Sequence, residues 1–143
     1  MEPVGLAAVV TVLVVGTVAG LWHQRSSGRL RAGDDDLPER VPAAVLAELG
    51  VPPAPVTLLQ FSSAFCAPCR AVRRVSAEVA AMIPGVQHLE IDAESHLDAV
   101  RTLRIWRTPT LLVLAEDGRV SRRATGVPTK PQLIAAIGEI HGA

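Results

Sequence analysis

The only two cysteines of this 143-residue chain stand two residues apart, in Phe65-Cys66-Ala67-Pro68-Cys69-Arg70. Thiols at that spacing can close a small redox-active ring or donate together to a metal ion. An apolar run, Val56-Thr57-Leu58-Leu59-Gln60-Phe61, comes just before them, and a helix-period pattern from Ala67 to Met82 comes just after. Set between a strand and a helix, Cys66 falls at a helix N-terminus, where unpaired N–H groups and the helix dipole favour an anion and so a thiolate. Cys69, one turn further in, is expected to be more buried and less acidic. Pro68 sits in the first helical turn, where its missing N–H does little harm, and Arg70 adds a positive charge nearby. A structural zinc site normally takes four ligands, often from two Cys-x-x-Cys halves. One half is present here, and His23, His88, His96 and His141 are scattered. No metal is therefore expected, and no cofactor beyond a Cys66–Cys69 disulfide.

The elements that must position this pair can be read from periodicity. Val56–Phe61, apolar but for one polar residue, reads as a buried parallel strand. Ala67–Met82 puts Val72, Val75, Val79 and Met82 on one helix face. Pro84-Gly85 ends that helix, and Val86–Ile91 alternates as a second strand. Ser95–Ile105 reads as a helix with Leu97, Val100 and Leu103 inward. Leu111–Leu114 is a third strand. Glu116-Asp117-Gly118 is a hairpin signal leading to an exposed, charged strand, Arg119–Thr125. Pro131–Ile140 closes the chain as a helix with Leu133, Ile134 and Ile137 buried. The first strands, joined by helices, are expected to be parallel and the last pair antiparallel. The fold class is α/β, with helices on both faces of a mixed four-stranded sheet.

Upstream of this domain the chain changes character. Val4–Trp22 is a run of 19 residues without formal charge, close to the ~20 needed to cross a bilayer as a helix. It ends on Trp22, as interfacial aromatics do. It has no Lys or Arg before it and is long for a signal-peptide core, so an uncleaved anchor is the preferred reading. Arg25, Arg29 and Arg31 follow the run and Glu2 precedes it; the positive-inside rule then favours a cytoplasmic C-terminal side, with the extracytoplasmic face as the alternative. Gly16 and Gly20 offer a small-residue face to a second helix, although a homodimer is not favoured. The expected division is an anchor over residues 1–24, a polar linker over 25–40 and a domain over 41–143, with a short helix at Pro42–Leu49 and a stiff Val51–Pro55 connector. Formal net charge is zero and aromatics are 3%, which offers nucleic acid neither bulk attraction nor stacking. One Lys against thirteen Arg suggests a GC-rich bacterial genome.

The order of motifs resembles the thioredoxin family over about residues 55–141. Cys66-Ala67-Pro68-Cys69 stands where the family has Cys-Gly-Pro-Cys, Leu89-Glu90-Ile91-Asp92 is similar to its next strand end, Thr108-Pro109-Thr110 to its cis-proline segment, and Asp117-Gly118 to its hairpin. The resemblance implies a cis Pro109 beside the sulfurs and a substrate groove that includes Thr108, Pro109 and Gly126. There are departures. Gln60 occupies the position of a buried Asp that helps move the proton of the second cysteine. Phe65 replaces a Trp, Ser62 stands where Trp is frequent, and no counterpart of the fold's first strand is evident before Pro42. Glu90 or His88 are candidate substitutes for the missing base. Trp106 has two readings, groove border or loop aromatic; Arg101, Arg104 and Arg107 likewise read as a solvated face or as a basic patch.

The resemblance implies a membrane-anchored thiol–disulfide oxidoreductase that reduces protein disulfides, with Cys66 attacking and Cys69 resolving. Its partners would be disulfide-bearing proteins and a reductase or membrane electron donor. Two other readings remain: a binding or chaperone-like module with incidental cysteines, and an extracytoplasmic relay of the cytochrome c maturation type.

Overall fold

The computed structural model describes residues 3–26, 28–32 and 38–142, with the side chains of 3, 4 and 24–26 outside that description. Glu2, the Arg25 side chain and Asp34–Asp36 therefore lie outside the described residues. Nine elements follow in order: α1 (Pro3–Ser26), α2 (Ala43–Glu48), β1 (Val56–Ser62), α3 (Ala67–Met82), β2 (Val86–Asp92), α4 (Leu97–Thr102), β3 (Thr110–Ala115), β4 (Val120–Thr125) and α5 (Lys130–His141). The sheet order is β2-β1-β3-β4. As expected, β1 and β2 are parallel and β3 and β4 antiparallel, but β3 runs antiparallel to β1. The chain therefore enters β3 at the end of the sheet where β2 left it, with Thr110 opposite Phe61.

The expected helix over Ser95–Ile105 is shorter than its pattern. His96 is its N-cap, Leu103 its C-cap, and Arg104 takes a positive φ of 48°. Its released carbonyls are claimed from another element: the Arg123 guanidinium donates to Leu103 O at 3.1 Å and to Arg104 O at 2.8 Å. Leu97 is exposed rather than inward, as are Met82 at the end of α3 and Ile134 on α5. Ala136 takes the inward place beside Leu133 and Ile137. Two cores flank the sheet. One joins Leu59, Phe61, Ile91, Leu112 and Leu114 to Val41, Leu49 and Leu103. The other joins Val56, Leu58, Leu111 and Val113 to Val72 and Val79 of α3 and Leu133 and Ile137 of α5.

The stretch read as a polar linker is partly structured, and it covers the outer edge of β4. Gly28 N–H donates to Thr125 O at 2.7 Å, Arg31 and Arg123 exchange both backbone hydrogen bonds, and Val120 N–H donates to Glu39 O. Gly28 is buried, and Leu30 packs on the core that lies against α3 and α5. Thus β4, expected to be exposed, is half-buried along its length. An edge strand with unpaired N–H and C=O groups is a template for pairing, and here the chain's own upstream segment takes that place.

Candidate active site

Cys66 is the N-cap of α3. Its Sγ accepts the backbone N–H of Cys69 at 3.2 Å. Sulfur thus occupies the position in which a capping oxygen would satisfy one of the orphan donors of a helix start. Pro68 falls at the second helical position, where no N–H is required. The two cysteines are disulfide-bonded, with their Cα atoms 5.2 Å apart. Their exposure differs as the sequence predicts: Cys66 is partly exposed, and Cys69 only 1% exposed. Around them Ala67, Pro68 and Arg70 are exposed, and Phe65 is fully so. A reduced Cys66 therefore has the reach and the anion-stabilising end of a helix, and Cys69 has neither.

The antiparallel entry into β3 brings Thr108 and Pro109 to the same end of the sheet. The Thr108–Pro109 peptide is cis. Ser63 Oγ of the cysteine loop lies 3.0 Å from Thr108 Oγ1, and Gly126 N–H donates to Pro109 O at 3.0 Å. Thr110 Oγ1 closes the loop on Arg107 O at 2.7 Å. Trp106 is 86% exposed. Arg101 pairs with Asp98 on the helix surface at 3.1 Å, a solvated contact.

Beneath Cys69 lies a polar cluster centred on Gln60. Parallel pairing sets Gln60 beside Glu90 and Leu58 beside His88, so Gln60, His88 and Glu90 share the α3 face of the sheet. Gln60 is fully buried. Its Nε2 lies 2.9 Å from Cys69 O and 2.9 Å from Ser62 Oγ. A carbonyl can only accept, which identifies the atom facing Cys69 as the amide nitrogen. Oε1 then faces His88 Nε2 at 3.0 Å, and because that oxygen only accepts, Nε2 of His88 carries the proton. Ser62 Oγ passes its hydrogen to Glu90 Oε1 at 2.6 Å. Arg73, from the second turn of α3, clasps the Glu90 carboxylate with Nε and Nη2.

These contacts set the local protonation. The Arg73 guanidinium, helped by Ser62, holds the Glu90 carboxyl below its usual range against the opposing effect of burial. Burial lowers the pKa of His88, outweighing the attraction of Glu90, and Arg73 lowers it further. At neutral pH the cluster is thus an ionised Glu90, a neutral His88 and an amide that connects both to the Cys69 backbone. An open cleft lined by Ser62, Ser63, Ala64, Arg73, Glu90 and Asp92 gives it access to water. Sequence reasoning named Gln60, His88 and Glu90 but missed Arg73, and it counted Ser62 only as a departure. The available signal was register: pairing two parallel strands from their first residues puts 60 beside 90. His96 stands apart, its Nδ1 3.1 Å from Asp92 O. Among the described residues no group of three or more His, Cys, Asp or Glu is placed to hold a metal ion.

A disulfide capping a helix start, followed by a buried partner and faced by a cis-proline loop on a mixed sheet, defines a thiol–disulfide exchange protein. Comparison with known proteins gives the same class. The thioredoxin family model matches residues 48–139. A thioredoxin of Chlamydia trachomatis is 30% identical over 84 residues, covering 59% of this chain and 81% of that protein. A rice (Oryza sativa subsp. indica) H-type thioredoxin is 28% identical over 71 residues, covering 50% of this chain and 57% of its own length. Chloroplastic thioredoxin z superposes with a TM-score of 0.59 at 21% identity, over 78% of this chain and all of that one. Oxidised mitochondrial thioredoxin 3 of Saccharomyces cerevisiae gives 0.52 at 17% identity, over 60% and 79% of the two chains. The chain belongs to the thioredoxin family, and it is a thiol–disulfide oxidoreductase.

Proposed function

We propose that the protein is a membrane-tethered reductant of protein disulfides. The observation that carries the chemistry is the asymmetry of the pair, with Cys66 capping α3 at the surface and Cys69 buried behind it. In the reduced protein the Cys66 thiolate attacks one sulfur of a substrate disulfide. A Cys66–substrate disulfide forms as the substrate S–S bond breaks, and the other substrate sulfur leaves as a thiolate and takes up a proton. Cys69, once deprotonated, attacks Cys66 Sγ, and the first substrate sulfur leaves. Two electrons have passed to the substrate, and Cys66–Cys69 is the disulfide that remains. A dithiol reductant or reductase must then return the pair to thiols. No other cofactor is needed for this sequence of steps.

Gln60 has no carboxylate with which to take the proton of Cys69. In this reading the proton leaves through the water-accessible cleft bounded by Ser62 and Glu90, with Gln60 holding the Cys69 carbonyl and Ser62 linking Gln60 to Glu90. Thr108, Pro109 and Gly126 form the floor on which a substrate segment lies, and exposed Phe65 and Trp106 border it. The tether is α1: Gly5–His23 is long and apolar enough to cross a bilayer. Every side chain described within Gly5–His23 is exposed, which favours a span over a core helix. Arg29 and Arg31, with Arg25, favour a cytoplasmic domain.

The test uses the full chain in detergent. Insulin reduction driven by dithiothreitol is expected to accelerate with the wild type and to fall to the uncatalysed rate with Cys66→Ser. Cys69→Ser is expected to accumulate a mixed disulfide with the substrate. If Cys66→Ser keeps the wild-type rate, the assignment is lost. Alkaline phosphatase and green fluorescent reporters fused after residue 143 report the side; phosphatase activity without fluorescence would move the domain outside the cytoplasm.

A further inference from the structure

We propose that the site is built to act on disulfides held close to the bilayer, in juxtamembrane segments of other membrane proteins; this rests on α1 spanning the membrane. The observation is where the tether joins the domain. The apolar stretch ends at His23, and α1 ends at Ser26. Three residues of helix advance about 4.5 Å, and two further residues to Gly28 reach at most about 7 Å. At Gly28 the chain is already fastened, its N–H bonded to Thr125 O at 2.7 Å. Thr125 is followed by Gly126, whose N–H holds Pro109 O at 3.0 Å. The end of the span and the substrate-groove backbone are thus separated by roughly 20 Å or less along this path.

The fastening is close as well as short. Gly28 has φ +87°, and a Cβ there would stand 2.2 Å from Val127 O, so only glycine fits against this loop. A freely hinged tether would let the groove sample a wide shell above the bilayer, in the way flexible linkers do. This attachment instead joins the membrane anchor to the loop that carries Gly126 and Val127. The rim of the site suits the same location. Phe65, Trp106 and Val127 are exposed apolar residues, and Arg29 and Arg107 are exposed beside the attachment and in the Trp106 loop. Aromatic residues and arginine are the side chains that settle at a membrane–water interface. A disulfide a few residues from a neighbouring span would lie at the height of the groove, and sharing a bilayer raises its effective concentration there.

The test places the full-length, pre-reduced protein in vesicles of phosphatidylcholine and phosphatidylglycerol with a single-span peptide. The peptide carries a disulfide loop either directly after its span or raised on a helical spacer of about 40 residues, ~60 Å long. Single-turnover reduction is followed by thiol alkylation. The expected result is that the low disulfide is reduced roughly tenfold or more faster than the raised one. Inserting about 60 Gly/Ser residues between Ser26 and Gly28, which adds ~40 Å of reach, is expected to bring the two rates within about twofold. Equal rates for the uninserted protein, or no reduction of either loop, would overturn the proposal. Flotation of the same vesicles separates this from failure of the anchor: protein that stays at the bottom of the gradient refutes the span itself, and the proposal with it.

Discussion

Gln60→Glu is the most informative single substitution, because it changes one atom and no volume. Gln60 Nε2 gives its two hydrogens to Cys69 O and Ser62 Oγ, each at 2.9 Å, and Glu90 Oε1 lies 3.5 Å away. An ionised carboxylate in place of this amide would turn an oxygen toward the Cys69 carbonyl and toward the Glu90 carboxylate, with no exposure to solvent. Leaving such a group unsatisfied costs about 1–3 kcal/mol, which corresponds to a pKa raised by roughly 1–2 units above the usual ~4.3. The sign follows from proton linkage. A carboxyl with a raised folded pKa binds more protons when folded, so its variant loses stability as pH rises through that window. Gln60→Glu should therefore melt near the wild type at about pH 4 and fall behind it above about pH 6–7. For a domain of roughly 100 residues, each kcal/mol moves Tm by about 4–8 °C. The assay is thermal unfolding of oxidised full-length protein in mild detergent, with variant and wild type compared at each pH. A Tm difference that stays flat between about pH 4 and pH 8 would refute the network assigned to Gln60.

Three other perturbations follow from the same structure. Ser76 Oγ is buried in α3 with no hydrogen-bond partner among the described residues, so Ser76→Ala should leave stability unchanged or raise it by about 1 kcal/mol in urea unfolding. The depressed pKa of His88 means that its contribution is complete above about pH 6.5 and is lost as pH falls, because the unfolded chain binds the extra proton; His88→Gln should flatten the stability profile between about pH 7 and pH 5, as measured by chemical denaturation. Gly28→Ala meets both a positive φ and the Val127 carbonyl. It should release the 28–32 segment from β4, seen as faster hydrogen exchange at Arg31 and Arg123, while Cys66–Cys69 exchange with dithiothreitol stays at the wild-type rate.

The cysteine pair was legible because its chemistry depends on local sequence. A strand pattern, two thiols and a helix pattern in succession leave little choice about where Cys66 sits, and Ala67–Met82 forms the helix its periodicity predicts. Helix faces were less legible. Leu97, Met82 and Ile134 match the inward period yet are exposed, because which residues of a helix are covered depends on what packs opposite them and not on the period alone. The end of α4 shows the same effect, since its terminal carbonyls are taken by Arg123 from β4.

The sequence by itself determined the class of chemistry, the family, the order of elements and the presence of an apolar segment of spanning length. All of these depend on residue type, on local spacing and on the order in which motifs follow one another along the chain. Tertiary structure alone decided the surroundings of the pair. Parallel register set Gln60 beside Glu90 and within reach of His88, α3 carried Arg73 over them, and antiparallel entry into β3 brought Pro109 to the cysteine end of the sheet. It also decided that residues 28–32 lie along β4 rather than hang free. Backbone hydrogen bonds are alike at every position, so a chain does not announce which strand edge it will pair with. That choice is made by packing, and here it sets Gly28, just after α1, against Thr125 and Val127.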